Sequence, residues 1–224
     1  MELQLAELVW LGNDARIHRA TDASGASLAV KQCIARELQV LLRLPPHEHI
    51  VRIVGACSSP TAYAMPFAQG TLYDRVPLGA PSVRRQLLDA IAHLHAHGIL
   101  HRDVKPSNVL VYDGHHLRLA DFGTAVVSLD HVDEVVTTYA YAAPEVLREG
   151  HYTTAADVWG VGMTLAEVLL RRRVLQSSSL ARVAEEQATL LPYVRERVPR
   201  CVARLIDDCP AVRVEWHSSN VDAS

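Results

Sequence analysis

The octet His101-Arg102-Asp103-Val104-Lys105-Pro106-Ser107-Asn108 is followed by Asp121-Phe122-Gly123 and then by Ala143-Pro144-Glu145. A single triplet arises often by chance. Three motifs in one order at workable spacings do not, because every residue of the set must fall correctly. If the set acts as one unit, the fold must bring two acidic side chains, Asp103 and Asp121, and the amide of Asn108 to one place.

Composition limits the alternatives. The 224 residues suffice for one large or two small domains, and 49% are hydrophobic, ample for a packed core. A formal net charge of −3 argues against nucleic acid as the main partner. Cys33, Cys57, Cys201 and Cys209 show neither paired nor metal-ligand spacing and read as small buried hydrophobes in a reducing compartment. The N-terminus lacks a basic region followed by an apolar run, so no secretory signal is expected. The most apolar stretch, Val158 to Leu170, is too short to span a bilayer and is interrupted by Glu167. A cytoplasmic protein is expected, with nuclear entry left open.

Leu8 to Ala20 and Leu28 to Cys33 read as two strands joined by a turn at Asp22-Ala23-Ser24-Gly25. Arg36 to Leu44 carries Leu38, Leu41 and Leu42 at helical spacing and stops at Pro45-Pro46. Ile50 to Ala56 and Tyr63 to Phe67 read as further strands. Leu87, Leu88, Ile91 and Leu94 predict an amphipathic helix from Val83 to His97, with Gly98 as its stop. Val109 to Val111 and Leu117 to Leu119 form a hairpin around Asp113-Gly114. Ala155 to Leu170, Leu180 to Leu191 and Arg197 to Asp207 complete a mainly helical second half.

The three motifs resemble the catalytic loop, the metal-binding triplet and the end of the activation segment of a eukaryotic-type protein kinase. The resemblance runs from about Leu8 to Arg213. It implies an α+β, bilobal fold forming a single domain over 1–224. A small β-sheet lobe with one helix covers about 1–67, a hinge 65–70, a larger mainly helical lobe 71–213 and a tail 214–224. It further implies ATP and Mg2+, and a protein substrate with a Ser or Thr hydroxyl; neither nucleic acid nor a membrane is an expected partner. By the resemblance Asp103 handles the proton of the substrate hydroxyl and Lys105 stabilises the transferring group. Asn108 and Asp121 hold metal, and Lys31, in Leu28-Ala29-Val30-Lys31, pairs with phosphates. Glu37 is the best partner for Lys31, although only five residues separate them. Of the family's three loop glycines only Gly12 remains, beside Asn13 and Asp14. Met65-Pro66-Phe67-Ala68 resembles the adenine-docking hinge, with Ala29 and Leu110 sandwiching the base.

The resemblance assigns supporting roles as well. Asp157 accepts backbone N–H bonds from the catalytic loop, or is an ordinary helix cap. Glu145 pairs with Arg213, Thr138 touches Asp103 and Lys105, and His101 packs behind Phe122 beneath Leu41 and Ile53. Arg102 meets Asp133-Glu134, or those acids are a solvated stretch. Arg171-Arg172-Arg173 reads as a solvated helix end, with an acidic substrate as the alternative. His93 and His97 are four apart on one helix but lack an apparent third metal ligand. Lys31, Asp103, Lys105, Asn108 and Asp121 favour an active serine/threonine kinase. The single loop glycine and the short link to Glu37 favour a pseudokinase scaffold. A small-molecule phosphotransferase fits poorly with Ala143-Pro144-Glu145.

Overall fold

The computed structural model describes residues 3–11, 15–74, 79–128, 137–177 and 179–207. Its first half is an antiparallel sheet in the order β1-β2-β3-β5-β4 with one helix against it. The strands are β1 (Leu3–Leu11), β2 (Arg16–Asp22), β3 (Ser27–Gln32), β4 (Gly55–Ser58) and β5 (Thr61–Pro66), and helix α1 is Ala35–Arg43. The expected turn between β2 and β3 is present: Asp22 Oδ1 accepts from Ser24 N and Ala26 N, and Gly25 supplies φ +85°. Two strand expectations are corrected. Leu8 to Ala20 is not one strand but the facing parts of β1 and β2, which pair Trp10 with Ile17 and Leu11 with Arg16. Ile50 to Ala56 is mostly not strand. Val51 N donates to Leu119 O and Leu119 N to His49 O, so this apolar stretch crosses into the core before β4 begins.

The chain leaves β5 through a short link to β6 (Gly70–Thr71), which pairs with β8 (Val109–Tyr112); β8 forms a hairpin with β9 (His116–Leu119). Between them lie α2 (Ala80–Ala96) and β7 (Ile99–Leu100), which pairs with β10 (Val126–Val127). Gly98 takes φ +70° just past α2, a left-handed stop that glycine adopts without a Cβ penalty. Gln86 ties α2 to the β8–β9 hairpin, donating to His115 O and accepting from Leu117 N.

The second half completes the α+β architecture with α3 (Pro144–Glu149), α4 (Thr154–Leu170), α5 (Leu180–Arg197) and α6 (Arg200–Asp207). Helix α4 is buried on almost every face, which fits its near-continuous apolar sequence. Helix α5 runs past the expected Leu191, with Pro192 inside it. No helix among the described residues is long and apolar enough to cross a membrane. Cys33, Cys57 and Cys201 are unpaired, but Cys57 and Cys201 are exposed rather than buried; Cys209 lies outside the described residues.

Candidate active site

A cavity of about 690 Å3 lies between the sheet and the helical half. The sheet contributes Val9, Trp10, Ile17, Ala29 and Lys31, the link after β5 contributes Phe67 and Ala68, and the far wall holds Lys105, Asn108, Leu110 and Asp121. Ala29 and Leu110, the residues expected on either side of the base, both line this cavity, as does Met65. Tyr112 Oη donates to Pro66 O at 3.0 Å.

Lys31 Nζ donates to Glu37 Oε1 at 2.6 Å, so the short connection does form the expected pair. Lys31 Nζ also reaches Asp121 Oδ1 at 2.7 Å, which joins the sheet to the helical half. Burial alone disfavours the Lys31 ammonium, but the Asp121 and Glu37 carboxylates outweigh it and hold its pKa above the ordinary value. Burial likewise pushes the Asp121 carboxyl up, and Lys31 overrides that and holds it low. Burial, then Glu37, pushes the neighbouring Cys33 thiol up to about 11, which disfavours its thiolate.

The octet forms a tight loop against α4. Asp103 Oδ2 accepts from Lys105 Nζ at 2.6 Å and from Asn108 Nδ2 at 3.0 Å. Lys105 Nζ also donates to Thr138 Oγ1 at 2.6 Å, and Thr138 N to Asp103 Oδ1 at 3.1 Å, which is the contact expected of Thr138. Asp157 is not a helix cap. Thr153 fills that position on α4, while Asp157 accepts from His101 N at 3.0 Å and Arg102 N at 2.8 Å. His95 Nε2 lies 2.9 Å from the same carboxylate. Arg102 is thereby held at φ +69°, a left-handed conformation costly for such a residue, and Arg102 Nε donates to Thr124 O at 2.6 Å. Asp121 also takes a left-handed φ of +63°. His101 is fully buried with its ring 4.9 Å from that of Phe122, and Leu41 and Ile53 join the same core.

Asp121 and Asn108 present hard oxygen donors to the cavity. No group of three or more His, Cys, Asp or Glu side chains could hold a metal by itself among the described residues. One carboxylate and one amide oxygen suit a magnesium ion that keeps phosphate and water ligands, whereas a metal needing an all-protein cage is a poor match.

Several expected participants fall elsewhere. Gly12, Asn13 and Asp14 lie outside the described residues, as do Asp133, Glu134 and Arg213, the expected partners of Arg102 and Glu145. The sequence reading missed Tyr63, whose Oη donates to Glu37 Oε1 at 2.9 Å, and the Val9–Trp10–Ile17 wall. Strand register carries the signal for both. Lys31 faces Ile17 on one side and Tyr63 on the other, and Ala29 faces Met65.

The model of the protein kinase domain family matches residues 18–214. Cyclin-dependent kinase 4 of Ovis aries is 34% identical over 183 residues, covering 73% of this chain and 60% of that protein. CBL-interacting protein kinase 4 of Oryza sativa subsp. japonica is 32% identical over 252 residues, covering 96% of this chain and 55% of that protein. CBL-interacting serine/threonine-protein kinase 24 of Arabidopsis thaliana is 30% identical over 200 residues, covering 81% and 45%. The chain therefore spans only about half the length of these relatives. The matched stretch contains Lys31, Glu37, Asp103, Lys105, Asn108 and Asp121, so likeness in sequence and convergence in space fall on the same side chains, and the chain belongs to the eukaryotic-type protein kinase family.

Proposed function

We propose that the chain is a serine/threonine protein kinase that transfers the γ-phosphoryl group of ATP to a protein hydroxyl. The observation that carries the reading is the meeting of Lys31, Lys105, Asn108 and Asp121 on one cavity, with Asp103 hydrogen-bonded to two of them. Adenine is taken to lie between Ala29 and Leu110, with the Pro66 carbonyl and the Ala68 N–H as its polar partners and Gly12 among the residues covering the phosphates. Lys31, braced by Glu37, holds the α- and β-phosphates. Asp103 orients the substrate hydroxyl and accepts its proton as the oxygen attacks the γ-phosphorus and the bond to the ADP oxygen breaks. Lys105 sits 2.6 Å from that carboxylate and balances charge on the transferring group. Asp121 and Asn108 would hold magnesium, which supplies charge neutralisation on the phosphate oxygens when bound.

A pseudokinase scaffold is the second reading, favoured by the loss of two loop glycines. Its other support, the short link to Glu37, is removed by the 2.6 Å contact with Lys31. Transfer of labelled phosphate from Mg-ATP to a mixed Ser/Thr peptide library, with Asp103→Asn alongside, tests the choice. The proposal expects incorporation that drops about 10²–10⁴-fold in the variant. No incorporation by either protein, while Mg-ATP still raises the melting temperature, selects the scaffold.

A further inference from the structure

We propose that the groove beside the Asp103–Lys105–Thr138 cluster selects an acidic segment of the protein substrate, read by Arg173 together with Arg171 and Arg172. The inference rests on the kinase reading above and names the substrate class of that same site. A cavity of about 460 Å3 opens next to Lys105 and Ser107, passes Thr138 and reaches Arg173. A second hollow of about 380 Å3 shares Tyr73 and Arg173 with it and adds Arg171 and Arg172.

The local chain explains why the three arginines collect there. Helix α4 ends at Leu170, and Arg171 turns the backbone through a left-handed conformation at φ +51°. Val174 N then donates to Glu167 Oε1 at 2.9 Å, which pulls the loop back under the helix end. The arginine run is held between these points and is exposed. A basic run after a helix ordinarily complements the helix dipole in solvent. Here two of the side chains are instead laid against aromatic rings. The Arg173 guanidinium stands 5.5 Å from the Tyr73 ring centre and that of Arg172 5.0 Å from the Tyr193 ring centre.

The carboxylates lining the second hollow are already engaged. Glu167 accepts from Tyr141 Oη at 2.7 Å and from Val174 N, and Asp74 Oδ2 accepts from Thr71 Oγ1 at 2.8 Å. Among the described residues none of the three arginines forms an ion pair within 4 Å, although burial raises the Glu167 carboxyl and the Arg173 charge opposes that rise. Three cations beside a groove that starts at the phosphoryl-transfer residues favour an anion in that groove. The planar guanidinium fork suits carboxylate and phosphate oxygens in particular. An extended peptide rises about 3.3 Å per residue, so the acidic side chain lies within a few residues of the accepting hydroxyl. An Asp or Glu side chain and a phosphorylated residue share this chemistry.

Matched Ser peptides carrying Asp, Asn, Lys or phosphoserine at each flanking position distinguish the outcomes. For the wild-type protein, kcat/KM is expected to be about ten- to a hundredfold higher for the best acidic peptide than for its Asn counterpart. Arg173→Ala should bring that ratio toward one, and Arg173→Glu should move the preference to Lys. A phosphoserine peptide outranking Asp identifies a previously phosphorylated substrate; the reverse identifies an acidic sequence. Equal turnover of Asp and Asn peptides, or a preference that survives both substitutions, overturns the proposal. Turnover of the Asn peptide by the wild-type protein is the separate check on the kinase reading. If no peptide turns over, anisotropy with labelled Asp and Asn peptides in Mg-ADP decides the inference, and equal binding rejects it.

Discussion

Glu37 is 2% exposed and accepts from both Lys31 Nζ and Tyr63 Oη, so a charged acceptor with no access to water depends on two donors. Removing the neutral donor is the more informative change, because the ion pair survives it. Tyr63→Phe is expected to cost about 1.5–3 kcal/mol, the worth of a buried hydrogen bond to a charged group, read by urea denaturation. A loss well below 1 kcal/mol means that Glu37 is held by Lys31 alone. The pH dependence of the Lys31–Asp121 pair follows from the two shifts. Asp121 has a lowered folded pKa, so its contribution is present in full above the ordinary 3.8 and is lost as pH falls through the folded value. Lys31 has a raised folded pKa, so its contribution is present below the ordinary 10.5 and is lost as pH rises through the folded value. A stability profile should therefore lose this contribution only at the two extremes, and Lys31→Met should remove both limbs. A Lys31→Met profile that keeps the wild-type acid limb shows that Asp121 is not held low by Lys31.

At the level of elements, the His101–Asn108 loop keeps its place because α4 carries a glycine where the two touch. A Cβ on Gly160 would stand 2.9 Å from Val104 Cβ and 3.0 Å from Val104 O. Two effects compete in Gly160→Ala. Alanine gains up to about 1 kcal/mol as a helix former, while overpacking costs about 1–3 kcal/mol. Overpacking should win, since the colliding atoms are a Cβ and a backbone oxygen next to Asp103 and cannot rotate away. Net destabilisation with a larger fall in kcat than rise in KM for ATP is expected from denaturation and steady-state kinetics; a stabilised, fully active variant refutes it. A second junction between elements is a cluster of histidines. His47, before β4, stacks on His93 of α2 at 4.6 Å, and His93 lies 4.4 Å from His97. Burial, then His93 and His49, lowers the His47 pKa against the opposing Glu48 and Asp89. This contribution is present above the ordinary 6.5 and is lost as pH falls through the lower folded value, so His47→Gln should flatten the fall in melting temperature as pH drops below 6.5. Such elements were unevenly legible in the sequence. The octet and Lys31 were readable because chemistry fixes residue type at those places, and α2 and α4 because their apolar period is long. The β1–β2 hairpin was misjudged because β1 is largely apolar while β2, Arg16–Asp22, is mostly polar, so no shared pattern marks the two strands as a pair. Ile50 to Val54 look like a strand locally, but bonding of Val51 to Leu119 overrides that preference.

The molecule as a whole has a cleft between two halves yet one core. Buried apolar residues run without a break from Ala29 and Met65 in the sheet, through Leu38, Leu41 and Phe122, to Ile206 in α6. The only other apolar cluster among the described residues is small: Ala20, Leu28 and Ala64. Lys31 and Asp121 add an ion pair across the same junction. Halves joined by a shared core should not melt separately, even though the cavity opens between them. Single-tryptophan proteins make this testable, because Trp10 lies on the sheet and lines the cavity while Trp159 is fully buried in α4. In urea the two probes and far-UV circular dichroism should give coincident transitions, the mark of one cooperative unit. Mg-ATP at 100 times its dissociation constant should move all three together by about 2.7 kcal/mol, and Lys31→Met should weaken that shift while keeping the coincidence. If the Trp10 transition precedes that of Trp159, the sheet half unfolds on its own, and the shared core is too thin at Leu41 and Phe122 to couple the halves.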